Sequence, residues 1–74
     1  MLSNVDTAKR VSDLMLEIFR AVDESVAMVI ESCGEEEGAA YFKAVGFVAG
    51  AVVMDVLEPL YEKHPNLAPP NWND

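Results

Sequence analysis

The stretch Gly38-Ala-Ala-Tyr-Phe-Lys-Ala-Val-Gly-Phe-Val-Ala-Gly-Ala-Val-Val-Met-Asp-Val-Leu57 carries only two charges, Lys43 and Asp55, in twenty residues. Wound at about 100° per residue, Tyr41, Phe42, Val45, Gly46, Val48, Ala49, Gly50, Val52, Val53, Val56 and Leu57 sweep an apolar arc of roughly 200°, about twice the stripe of an ordinary surface helix. One neighbouring helix cannot cover such an arc. The valines from Ala44 to Val53 also suit a buried strand, but twenty residues without a turn signal, with Ala and Gly throughout, favour a helix.

Upstream, Ala8, Val11, Met15, Ile18, Val22, Val26, Val29 and Cys33 recur at steps of three and four, a helical stripe sustained over about seven turns. Lys9, Arg10, Asp13, Glu17, Arg20, Glu24 and Glu31 occupy the other side, with Asp6–Arg10 and Arg20–Glu24 spaced for weak pairing. Ser3, answered by Asp6, is the expected N-cap. Gly34 is the expected stop, and Glu35, Glu36 and Glu37 suit the positive end of a following helix. A connection this short forces the two helices antiparallel, each arm about 40 Å long. The fold class is therefore all-α: a helical hairpin over residues 1–64, with helix one about 4–33 and helix two about 36–63.

Pro59 falls inside helix two, where its missing N–H and its ring predict a kink. Residues 65–74, with three prolines, read as an extended Pro-rich C-terminal tail. Leu67 and Trp72 either fold that tail back over the open end of the hairpin or offer it to a groove on another protein; the cost of leaving tryptophan in water favours folding back.

A 74-residue chain is near the size at which a solitary core becomes marginal. Cys33 is its only cysteine and His64 its only histidine, so neither a disulfide framework nor a structural zinc supplies the missing support. Oligomerisation remains, and two hairpins joined as an antiparallel four-helix bundle give a homodimer. Gly46-x-x-x-Gly50, extended by Val53 and Leu57, is the expected dimer interface, because two interior glycines, each costing about 1 kcal/mol against alanine, call for a close crossing. Packing within the hairpin is the competing use of the same stripe.

The charge-free run Ala44–Met54 falls short of the ~20 residues that span a bilayer. The N-terminal decapeptide lacks the apolar run of a secretory signal, so the expected location is cytoplasmic. Thirteen acidic residues against five basic ones, a net charge of -8, repel phosphate backbones and anionic lipid heads, which argues against direct nucleic-acid and membrane partners.

Phe47 interrupts the polar strip Lys43, Phe47, Ala51, Asp55, Glu58, Glu62 and is the candidate partner-docking residue, with Leu67 and Trp72 as candidates in the tail. Met15, Met28 and Met54 fit core filling or an adaptable groove. Glu31 and Glu35–Glu37 lack the ligand spacing of a calcium loop and read as a solvated turn. An antiparallel hairpin sends Cys33 and His64 to opposite ends, and no Glu-x-x-His pair exists for a di-iron site. No catalytic, cofactor or metal residue is assigned. The expected role is that of a noncatalytic interaction or regulatory protein, a dimer that binds another protein; the alternatives are an acidic mimic of nucleic acid and a carrier of a small apolar ligand in the bundle core.

Overall fold

The structure is a computed structural model that describes residues 1–72; Asn73 and Asp74, the end of the expected tail, lie outside the described residues. Helix α1 (Val5–Cys33) packs against α2 (Glu35–Ala51), and α2 continues through a π-helical turn, Val52–Leu57, into α3 (Glu58–Lys63). Gly38 meets Ile30, Tyr41 meets Ser25 and Tyr61 meets Ser12, an order of contacts that makes the hairpin antiparallel.

Asn4, one residue after the expected Ser3, caps α1, its side-chain oxygen accepting the Thr7 N–H at 3.0 Å. Ser3 is engaged elsewhere: its hydroxyl accepts from Lys63 Nζ at 3.3 Å, while His64 Nε2 meets the Leu2 carbonyl at 2.6 Å. These bonds tie the N-terminus to the end of α3. The ion pair on the solvated side of α1 is Lys9–Asp13 at 3.6 Å, rather than Asp6–Arg10 or Arg20–Glu24; exposed pairs of this kind contribute a few tenths of a kcal/mol, too little to fix long side chains.

Gly34 alone connects the two arms. Its φ of 92° and ψ of 173° belong to a region open essentially only to glycine. Its N–H donates to Ile30 O at 2.9 Å, and its carbonyl accepts from the Gly38 N–H at 3.0 Å, so one residue satisfies both helix ends. Gly38 lets the arms close directly afterwards, since a Cβ there would run into the Ile30 side chain and lie 3.2 Å from its Cα.

No break occurs at Pro59. The π turn just before it absorbs the misfit expected as a kink, with the Glu58 N–H reaching Val53 O five residues back. In an unbroken α-helix Leu57 would sit about 140° around from Val52; the wider turn brings both inward, where they join Ala8, Leu60 and Tyr61 in the core. Tyr61 and Ser12, both buried, share a hydroxyl bond of 2.5 Å.

The tail coils instead of extending. Pro65–Leu67 form a 3₁₀ turn, and the Trp72 N–H donates to Pro69 O at 3.0 Å with Pro70 at the favoured second position of that turn. Leu67, Ala68 and Trp72 pack against the core, and Trp72 meets Tyr61 edge-on, ring centres 4.9 Å apart at 82°.

Burial is confined to this end. From Asp13 to Ala51, Gly38 is the one buried residue. Two members of the expected α1 stripe, Ile18 and Cys33, are exposed, while Ser12 takes a core place.

Candidate interaction surface

The hairpin is a ribbon of two helices with two broad faces. At about 100° per residue Leu16, Phe19 and Asp23 fall on one flank of α1, and Leu14 and Ile18 on the other. On α2 the first flank holds Phe42, Gly46 and Gly50; the second holds Tyr41, Ala44, Val48 and Ala51. The Ser25–Tyr41 hydroxyl bond of 2.8 Å, reinforced by donation from Ser25 to Val22 O at 2.6 Å, marks the second face.

On the first face a groove of about 180 Å³ runs between the arms, walled by Phe19, Val22 and Val26 of α1 and Phe42, Val45, Gly46 and Ala49 of α2. Asp23 is its one charged lining residue. Phe42 is 63% exposed and Phe19 40%. Toward the open end, a second hollow of about 290 Å³ lies among Leu16, Phe19, Val53, Leu57, Pro69, Asn71 and Trp72, so the tail forms a shelf on this same face.

The four residues of the expected dimer stripe separate in this setting. Gly46 is exposed and Gly50 half-buried, and a Cβ on either would meet nothing within 4 Å. The close approach within the hairpin belongs to Gly38 instead. Val53 is half-buried, and Leu57, at 0% exposure, is consumed by the core of the single chain, so it offers no side chain to a partner.

Phe47 stands 77% exposed. It lies away from Gly46, on an open groove of about 560 Å³ with Val48, Ala51, Val52, Asp55 and Val56. Leu67 and Trp72, the other docking candidates, are half-buried against the core. Met15 packs there too, whereas Met28 and Met54 are exposed. Sequence reasoning missed Phe19 altogether, because Ile18 beside it completed the stripe; the i, i+3 run Leu16, Phe19, Val22 was the available signal.

Cys33 is exposed at the tip, and a hydrogen bond to Glu37, with some desolvation and the Glu37 charge, holds its thiol above the ordinary range. A thiol so held resists ionisation and is a poorer nucleophile. His64 sits at the other end of a molecule 43 Å long. Among the described residues, no three His, Cys, Asp or Glu side chains form a group able to hold a metal ion.

One helix, the continuous rod Glu35–Lys63, is long and apolar enough to cross a membrane by length and composition, and little of its apolar window is buried. Comparison with known proteins finds no matching family model, no matching curated protein and no matching solved structure.

Proposed function

We propose that this chain is a noncatalytic, acidic homodimer of the cytoplasm, a four-helix bundle of two hairpins that works by binding another protein. The observation that carries the reading is the apolar surface of α2 left open by the single hairpin: Phe42, Phe47, Val48 and Met54 are each at least half exposed. Soluble monomers seldom leave so large an apolar patch in water. The separation of Cys33 from His64 supports the noncatalytic part, since the thiol and the imidazole do not meet within one hairpin.

A membrane is the rival cover for the same surface. Against it stands α1, which lies along the rod and carries Asp13, Glu17, Arg20, Asp23, Glu24 and Glu31 on or beside its exposed side. Those charges would have to enter the bilayer with α2, or α1 would have to abandon both Ser–Tyr bonds.

Light scattering on the purified chain tests the dimer. A mass of twice 8.1 kDa at micromolar concentration is expected; a monodisperse monomer defeats the architecture. Partner binding is tested at Phe47, which touches the solvent strip and not the core. Phe47→Asp is expected to keep the helical circular dichroism and lose capture of the protein partner, and capture that survives in the folded variant moves the docking site to the tail around Trp72.

A further inference from the structure

We infer that the second copy seats on the Phe19–Phe42–Gly46 face, over its tip half, with the hairpins antiparallel so that each tip ends beside the other's tail. The inference rests on the homodimer proposed above and specifies which of the two faces the copies share.

The first support is shape. A two-fold contact uses one patch on both partners, so that patch must hold its own complement. Here two half-exposed rings, Phe19 and Phe42, stand beside Gly46, where a Cβ would meet nothing within 4 Å. Knob and hole lie on the same surface, and a copy turned by 180° puts its ring over the other's glycine. On the second face the tip seam is closed by the Ser25–Tyr41 bond, and the exposed ring there, Phe47, lines a groove with Val48, Ala51 and Val52 instead.

The second support is where burial is missing. The tip half owns no buried side chain of its own, so its helices need cover for as long as the chain is folded. A partner always present with the chain is another copy of it. The ribbon is 43 Å long and 20 Å wide, and the half beyond the tail shelf, with its side-chain relief, offers on the order of 600–800 Å² per copy, near what a stable interface needs.

Orientation follows from the tail and the charges. Pro69, Asn71 and Trp72 occupy the open end of this face, so two copies aligned tail to tail would be propped apart by them. The reversed arrangement avoids that clash. It also moves the Glu35–Glu37 tips of the two copies away from each other.

Paired charge insertions test the face. Gly46→Glu places a carboxylate in the groove, and Val48→Glu places one on the other flank of the same helix. Sedimentation and light scattering are expected to give a dimer for the wild type and Val48→Glu, and dimer association weakened at least about tenfold in Gly46→Glu. Loss of helix accompanying dissociation in Gly46→Glu counts the same way, because Gly46 is exposed and a Cβ there meets nothing within 4 Å in the single hairpin. A Gly46→Glu variant that dimerises like the wild type overturns the inference, as does dissociation of Val48→Glu. In both of those cases the homodimer itself stands. A monomeric wild type overturns both together.

Discussion

Glycine is the residue on which this fold turns, and its four copies have different duties. Gly34 holds a backbone conformation closed to other residues, and Gly38 admits the backbone of Ile30. Gly34→Ala is expected to cost about 1–3 kcal/mol through strain at positive φ. Gly38→Ala is expected to cost a similar amount, about 1–3 kcal/mol, by forcing the arms apart; the contact at Ile30 involves its Cα as well as its side chain, so a rotamer change alone does not relieve it. Both effects would be read as a lower midpoint in thermal melts followed by circular dichroism. An unchanged midpoint for Gly38→Ala would mean that the tip is not closed as described. From the sequence, Gly46 and Gly50 looked the more demanding pair because their spacing matches known helix crossings, whereas Gly38 stood only as the first residue of the apolar stretch of helix two.

Between the helices, two serine–tyrosine bonds act at different depths. Ser12 and Tyr61 are buried, so Tyr61→Phe strands the Ser12 hydroxyl and is expected to cost about 1–3 kcal/mol. Tyr41→Phe is expected to cost less, since Ser25 is half-buried and keeps its bond to Val22 O. Urea titration of the two variants checks the order, and equal losses would refute it. The hairpin was legible because the three-to-four periodicity of α1, the Gly34 stop and the apolar length of α2 agree. The details of its seam were not. Val22 stands almost directly above Met15 on a straight helix, and Ile18 and Phe19 straddle the line between them; composition gives no way to choose, and both stay exposed, Phe19 on the wall of the groove. Ser12 reads as surface until a tyrosine 49 residues away supplies its partner. Likewise Pro59 announced a defect, but whether it would be a kink or a π turn depended on Leu57 gaining a place beside Val52.

For the molecule as a whole, the tail is part of the packed end. Truncation after His64 removes Leu67 and Trp72 and uncovers Tyr61; it is expected to cost about 2–4 kcal/mol, measured as a fall in the denaturation midpoint. A truncated chain as stable as the full one would show that the Tyr61–Trp72 contact contributes nothing. The tail's place on the face could not be read beforehand, because proline content specifies stiffness but not direction. The uneven distribution of burial also governs how the chain reaches its structure. Contacts that form early, across Gly34, are local but weakly held, whereas the well-held ones join Ser12 to Tyr61 across a separation of 49 residues. Closing so long a loop carries an entropic cost that the tip cannot offset alone. Refolding should therefore be slow for a helical protein of this size and should quicken with protein concentration, as encounter between two half-formed tips replaces the missing local stability.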